Sequence, residues 1–260
     1  MHIKPRNHNK YQSIIFYVLL VCVWMAIYFI CVDFTHVWEA YAFPSPGGVL
    51  QSLVSLFAKG TLEIGIWASF CRLMIGYVIS LTLGLLMGLI ISRIAFLDRN
   101  LRPLMLGIQT LPSVCWVPFA ILWFGLGNEA IIFIEIISST FAMAIAVIAG
   151  VKNINPLFLK VSKTYGAKGI KLYAYVIIPA AIPDLVTGMK QTWSFAWRGL
   201  MAGEMLVGTS GLGQILMMGR DLADIDQVAA MIIVILVIGV CVEKMVFGYF
   251  EGKIRMRWGL

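Results

Sequence analysis

The sequence predicts an all-α polytopic membrane protein with six transmembrane helices and both termini in the cytoplasm. Its 260 residues are 60% hydrophobic and 13% charged, whereas soluble domains carry roughly 25% charged residues. Its apolar runs reach the length of about 20 residues that spans a bilayer as a helix. They are too long and unbroken for barrel strands of about ten alternating residues. Such a chain cannot bury its apolar surface in one soluble core, so the bilayer is its solvent.

Each predicted span is an apolar run between polar or breaking residues. The six runs cover residues 13–32, 62–91, 103–124, 130–150, 184–207 and 228–250. After the first run, Pro44-Ser45-Pro46-Gly47-Gly48 breaks the chain. Helical spacing of apolar residues over 49–57 then predicts a short amphipathic helix at the membrane interface. Pro112 and Pro118 predict kinks within the third span.

The second run carries small residues at every fourth position. These are Gly76, Ser80, Gly84 and Gly88. Small residues at this spacing let two membrane helices approach closely. We therefore expect this face of the second span to pack against another helix.

Basic residues flank the predicted spans unevenly. One side holds those of the N-terminus, of 93–102, of 152–171 and of the C-terminus, whereas the opposite loops hold only Lys59 and Arg220. Cytoplasmic loops carry the excess of Lys and Arg, so both termini and segment 152–171 face the cytoplasm. This distribution also argues against a nucleic-acid partner, despite the net charge of +7. We predict one membrane domain over 13–252, with cytoplasmic tails at 1–12 and 253–260.

The sequence contains no recognisable motif for catalysis or metal binding. A P-loop, HExxH and GxSxG are all missing. The five cysteines are scattered and the three histidines are dispersed, so we predict neither a metal site nor a catalytic residue. If the chain takes part in active transport, its motor lies on another chain.

A polar interruption over residues 160–183 separates the fourth and fifth runs. We predict a short basic helix, a break at Gly166, a second short helix, and re-entry into an apolar helix at Pro179. A soluble partner is expected to contact this segment, although an ordinary cytoplasmic loop with orienting lysines is the alternative. The candidate contact residues are Lys160, Ser162, Lys163, Thr164, Tyr165, Gly166, Ala167, Lys168, Gly169, Ile170, Lys171, Leu172 and Pro179.

This segment resembles the "EAA" signature of membrane subunits of binding-protein-dependent ABC importers. Gly166 fits the glycine of that signature, and Ile177-Ile178-Pro179 fits its end. Lys160-Val161-Ser162 stands where Glu-Ala-Ala is usual, which puts in doubt any salt bridge that the family makes with that glutamate. Ala167, Ile170 and Leu172 would fill a groove on an ATPase, and Lys163, Lys168 and Lys171 would meet its acidic rim.

Further motifs over roughly residues 43–258 are similar to the sulfonate, nitrate and taurine branch of the same family. They are Phe43-Pro44-Ser45-Pro46, Leu111-Pro112-Ser113-Val114-Cys115-Trp116-Val117-Pro118, Leu122-Trp123-Phe124-Gly125-Leu126-Gly127, Ala202-Gly203-Glu204-Met205-Leu206, Gly211-Leu212-Gly213 and Asp224-Ile225-Asp226-Gln227-Val228. Their order along the chain is more specific than any one of them. They do not select a substrate.

The resemblance implies a permease subunit in a bacterial inner membrane. Two copies of the chain would bind two P-loop ATPase subunits through a cytoplasmic coupling helix at 160–172. ATP and Mg²⁺ would bind those ATPases, with no cofactor on this chain. An extracytoplasmic binding protein would deliver a small, anionic solute of the aliphatic sulfonate, taurine or nitrate class.

Charged side chains within the runs are candidates for the translocation path, because charge in the bilayer is costly and usually faces protein or water. Arg198, flanked by Trp193 and Trp197, suits an anion; the alternative is a structural pair with Glu204 or Glu135. Core packing is the alternative for the aromatic and amide candidates. The full set is Gln109, Trp116, Glu135, Trp193, Trp197, Arg198 and Glu204.

Two other classes of membrane protein compete with this interpretation. A secondary transporter would need its own ion-coupling groups, yet Glu135 and Glu204 form no evident relay in the sequence. A structural protein would need no exposed coupling segment and would tolerate a bulky residue at Gly166.

Overall fold

A computed structural model describes residues 10–39 and 42–258, and this part of the chain is almost entirely helical. The predicted tail 1–12 lies mostly outside the described residues, as does the end of the tail 253–260. In chain order the α-helices are α1 (Lys10–Tyr28), α2 (Pro46–Ala58), α3 (Thr61–Arg93), α4 (Ala95–Gln109), α5 (Val117–Phe124), α6 (Asn128–Asn153), α7 (Pro156–Thr164), α8 (Gly169–Leu172), α9 (Ile178–Val207), α10 (Leu212–Asp221), α11 (Ile225–Cys241) and α12 (Gly248–Trp258). The boundary of the predicted membrane domain stays a prediction.

Short helical turns of other types join several of these helices. π-Helical turns follow α1 (Phe29–Phe34), precede α9 (Tyr173–Ile177) and follow α11 (Val242–Phe247), and a 3₁₀ turn (Ser113–Trp116) precedes α5. The last predicted span therefore continues as helix to Trp258 instead of ending at residue 250.

Three described helices are long and apolar enough to cross a membrane: Thr61–Arg93, Asn128–Asn153 and Ile225–Ile254. One further pair, Ala95–Gln109 with Ser113–Phe124, passes the same test together but bends by 101° at its break. The count of six spans and the cytoplasmic position of the termini remain predictions.

The predicted third span is wrong as a single kinked helix. The helix begins at Ala95, so most of the basic segment 93–102 is helical, and the helix stops at Gln109. The residue before a proline avoids the helical region, and Pro112 itself is extended, with ψ 136°. Pro118 lies in the first turn of α5, where a proline needs no hydrogen bond. The two prolines therefore produce a sharp break instead of two kinks.

The other predicted helices are present with shifted ends. The amphipathic helix expected over 49–57 is α2, whose first turn is closed by Ser45 Oγ accepting a hydrogen bond from Gly48 N–H at 2.9 Å. The spans expected over 62–91 and 130–150 are α3 and α6. The span expected from residue 184 begins at Ile178, because Pro179 occupies its first turn and Pro183 is tolerated inside it.

The described residues form two compact units. The first comprises the chain up to Thr61 with 216–233, and the second comprises 62–215 with the chain from 234 onward. In the first, Asp226 at the start of α11 accepts a hydrogen bond from Ser45 N–H at 2.7 Å. The Asp226 carboxylate lies so near Gly48 that a Cβ there would be 1.9 Å from it. The N-terminal end of α2 therefore meets the start of α11 within this unit.

In the second unit, α6 packs between α3 and α9. Gly84 and Gly88 bring α3 onto α6, since a Cβ at either would lie 2.5 or 2.6 Å from the Cβ of Met143 or Val147. Ser80 continues this face by accepting a hydrogen bond from Ser139 at 2.7 Å. The close approach predicted from the small residues is confirmed.

Helix α4 packs near the end of α3 and against α6. Ile91 of α3, Met105 of α4 and Ile148 of α6 are buried together in one apolar cluster. At the rim, Lys152 of α6 forms an ion pair with Asp98 of α4. This packing holds the bend after Gln109 beside α6.

Candidate functional site

The segment over 160–172, predicted to be cytoplasmic and here called the coupling segment, comprises the end of α7 and all of α8, separated by a glycine break. Helix α7 begins where Asn155 Oδ1 accepts a hydrogen bond from Leu157 N–H at 2.9 Å. The backbone φ is positive at Gly166 (+80°) and again at Gly169 (+53°). These are left-handed values that favour glycine. The predicted helix, break and second helix are all observed at these positions.

The surface of this region combines apolar side chains with lysines. Tyr165 is 88% exposed, and Phe158 and Leu157 are also exposed. The lysines at 160, 168 and 171 point into solvent, while Ala167 and Leu172 are half-buried. The side chains of Lys163 and Ile170 lie outside the described part of the structure. Exposed aromatic and aliphatic side chains among lysines suit the surface of an acidic-rimmed protein partner.

The remaining candidates of this segment have local roles. Ser162 and Thr164 donate hydrogen bonds to the carbonyls of Leu159 and Lys160, at 3.0 and 3.1 Å, within α7. Pro179 lies in the first turn of α9. The coupling segment is therefore joined directly, through one π-helical turn, to the long helix that contains Arg198 and Glu204.

A cavity of about 320 Å³ lies at the bend between α4 and α5. Three sequence candidates from separate helical pieces, Gln109, Trp116 and Arg198, share its wall. The other lining residues are Ile108, Thr110, Leu111, Pro112, Ser113, Val114, Ile137, Ser138 and Phe195. Hydroxyl, amide and guanidinium groups thus converge on one concave site.

Arg198 enters this cavity as a cation with no carboxylate partner among the described residues. Its Nε donates to the carbonyl of Ser194 at 3.0 Å, one turn earlier in α9. Its guanidinium lies 4.5 Å from the centroid of the Phe195 ring, a cation–π contact. Among the described residues the alternative prediction of a structural pair is wrong, because Glu204 pairs with a different arginine and Arg198 forms no ion pair with Glu135.

That arginine is Arg72 of α3, which forms a buried ion pair with Glu204 of α9. Ser69 donates to the Glu204 carboxylate at 2.8 Å, and Gly213 N–H donates to it at 2.9 Å. Arg72 also donates through Nε to Asn128 Oδ1 at 2.9 Å and through its other terminal nitrogen to the Ser210 carbonyl. Glu204 is thus fully enclosed, and it does not line the cavity at the bend.

The Gly211-Leu212-Gly213 motif closes around the same carboxylate. A Cβ at Gly211 would lie 2.4 Å from Glu204 Oε2, and one at Gly213 would lie 2.7 Å from Glu204 Cβ. The backbone N–H of Leu212 donates to Ser69 Oγ at 2.9 Å. Both glycines therefore permit α10 to begin against the end of α9.

The remaining path candidates lie within the helix packing. Glu135 is fully buried between α6 and α3, and Trp193 is 5% exposed. Trp193 makes an edge contact with Tyr77 and stacks on Trp197, with centroid distances of 5.4 and 6.4 Å. None of these side chains lines the cavity at the bend, so their role in translocation remains a prediction.

Sequence reasoning overlooked Arg72 and Ser69. Arg72 stands within an apolar run, so the rule that singled out Arg198 applied to it equally. Its pairing with Glu204 joins residues 132 positions apart. No local pattern in a single sequence identifies such a pair.

Comparisons with known proteins agree with this architecture. Residues 80–255 match the family described as "Binding-protein-dependent transport system inner membrane component". The chain is 28% identical over 215 residues to the "Putative aliphatic sulfonates transport permease protein SsuC" of Escherichia coli (strain K12), with 83% of this chain and 81% of that protein covered.

Two further relatives carry different substrate names. The "Taurine transport system permease protein TauC" of Escherichia coli (strain K12) is 25% identical over 205 residues, 77% of this chain and 74% of that protein. The "Formylaminopyrimidine transport permease protein ThiX" of Halalkalibacterium halodurans is 23% identical over 208 residues, 80% of each chain. The matched family accounts for more than half of the sequence. The chain therefore belongs to the binding-protein-dependent transport system inner membrane components, as a multi-pass ABC importer permease that is a transport subunit and not an enzyme.

Proposed function

We propose that this chain forms the translocation path of an ATP-driven importer for a small anionic solute. The observation that carries this proposal is the cavity at the bend after Gln109, where Arg198 lacks a carboxylate partner among the described residues. A guanidinium favours oxyanions such as sulfonate or carboxylate through charge-assisted hydrogen bonds. Gln109 and the hydroxyls of Ser113 and Ser138 add neutral hydrogen-bonding groups to the same wall.

The sulfonate and taurine class is the proposed substrate class. It is supported by the names of two relatives and by the cation in the cavity. A third relative is named for a formylaminopyrimidine, so family membership alone does not select the solute. The cavity volume of about 320 Å³ suits a small solute.

The proposed assembly contains two copies of this chain, two P-loop ATPase subunits and an extracytoplasmic binding protein. Each permease would cross the membrane six times with both termini in the cytoplasm, as the distribution of basic residues favours. ATP and Mg²⁺ would bind to the ATPases. Their closure would act on the coupling segment, and α9 would carry the movement toward Arg198, since the two are continuous through one π-helical turn.

Uptake by the reconstituted importer tests the role of Arg198. Arg198→Gln should reduce ATP-driven uptake of radiolabelled taurine or an alkanesulfonate by about tenfold or more, because a charge-assisted hydrogen bond contributes about 1.5–3 kcal/mol. The matched control is Arg220→Gln, since Arg220 is exposed and pairs with its neighbour Asp221. Unchanged uptake in the Arg198 variant would remove this residue from the path.

A pull-down tests the ATP-driven class itself. The chain, extracted in mild detergent from its native membrane, should bring a P-loop ATPase with it. Recovery of no ATPase, under conditions that preserve a known transporter complex, would favour a self-powered carrier instead.

A further inference from the structure

The interior of α3, α6 and α9 holds two carboxyl groups and one arginine. Arg72 is ion-paired with Glu204, and all three of its donor nitrogens are occupied. Glu135 is also fully buried, yet neither of its carboxylate oxygens has a hydrogen-bond partner among the described residues. A buried polar group is normally paired, so this carboxyl group calls for an explanation.

The position of Glu135 relative to Arg72 suggests an explanation for this unpaired carboxyl group. The Glu135 carboxylate lies against Gly76, where a Cβ would be only 2.4 Å from it. Gly76 is one helical turn after Arg72 on the buried face of α3, and four residues of α-helix span about 6 Å. A long, flexible arginine side chain covers that distance by changing its rotamers.

We propose that Glu135 is a second counter-ion for Arg72. When the Gly208–Gly211 turn and the start of α10 move away from α3, Arg72 exchanges Glu204 for Glu135 without leaving the protein interior. The carboxyl group that does not hold the arginine carries a proton, so in the exchange the proton held by Glu135 passes to Glu204, and the three groups together stay neutral in both arrangements. The absence of a Cβ at Gly76 leaves room for the Glu135 carboxylate on this face of α3, one turn from Arg72.

Two alternative counter-ions are useful to Arg72 because its charge is buried. Removing one partner of a buried ion pair is strongly destabilising, because the other charge is left uncompensated. With only one carboxyl group in the interior, movement of the α9–α10 turn would leave the Arg72 charge uncompensated. A second carboxyl group one turn away lets the helices rearrange while the arginine stays compensated.

A double-mutant cycle on the purified full-length chain tests the proposal. The thermal midpoint in mild detergent is measured for Glu204→Gln, Glu135→Leu and the double variant. Leucine is neutral and brings no new donor into the site. If Glu135 replaces the missing partner, Glu204→Gln alone is mildly destabilised and Glu135→Leu alone stays close to wild type, whereas the double variant loses far more than the sum of the two shifts.

Thr140→Val changes another buried group of α6 whose hydroxyl donates only to the Ile136 carbonyl of its own helix, and it should show no coupling with Glu204→Gln. Additive shifts for Glu204 and Glu135 would overturn the proposal. So would failure of Glu204→Gln alone to fold, since Arg72 would then have no second partner. The cycle needs neither ATPase nor solute, so its failure leaves the proposed transport function standing.

Discussion

The Glu204 carboxylate is enclosed so closely that glycine is required beside it. Because a Cβ at Gly211 would lie 2.4 Å from the carboxylate, Gly211→Ala should displace Glu204 from Arg72. We expect a thermal midpoint in detergent that is lower by several degrees. Gly107→Ala is the matched control, since its added methyl group meets nothing in the last turn of α4 and alanine is the better helix former. An equal loss of stability in both variants would contradict this explanation.

The Ser69 hydroxyl supports the Arg72–Glu204 ion pair both as a hydrogen-bond donor and as an acceptor. Its hydroxyl donates to Glu204 and accepts from the buried N–H of Leu212. Ser69→Ala leaves that N–H without a partner, at a cost of about 1–3 kcal/mol, which lowers the midpoint by about 2–4 °C for each kcal/mol in a chain of this size. Thr82→Val provides the comparison, because the Thr82 hydroxyl is exposed and bonds only within its helix; its midpoint should not change.

Among the helical elements, the coupling segment depends on its break at Gly166. An alanine there has room for its Cβ, but the left-handed backbone costs about 1–2 kcal/mol for a residue with a side chain. Gly166→Ala should reduce recovery of the ATPase in a pull-down while leaving the midpoint of the membrane helices unchanged. Gly252→Ala in α12, where the added methyl group also meets nothing, should recover the ATPase as wild type does. Full recovery with Gly166→Ala, and with the bulkier Gly166→Trp, would show that the break is not needed for docking.

Helices α2, α3 and α6 could be predicted from the sequence because an apolar period, or a long apolar run, determines a helix locally. The break after Gln109 could not be. A proline in a membrane helix produces either a kink or a complete break, and packing of α4 against Ile148 and its neighbours decides which. The cavity depends on this break. The sequence therefore identified Gln109 and Trp116 as candidates but did not predict that they line the same cavity. Arg72 and Glu204 were beyond prediction as a pair because their contact is purely tertiary.

For the molecule as a whole, the predicted topology assigns each loop to one side of the membrane. To test this topology, the five native cysteines are replaced by alanine, and a single cysteine is then introduced at Lys59 or at Lys168. Both positions are exposed. A membrane-impermeant maleimide should label Lys168→Cys only in inside-out vesicles and Lys59→Cys only in right-side-out vesicles. Labelling of both from the same side would rule out the six-span arrangement.

The small residues of α3 also decide which helices lipid molecules reach. With Gly84 and Gly88 in contact with Met143 and Val147, no acyl chain fits between α3 and α6. The opposite face of α3 is open, and Trp67 there is 69% exposed. In the isolated chain, a photoreactive probe dissolved in the bilayer would therefore mark the outer face of α3 and spare the side of α6 that faces it.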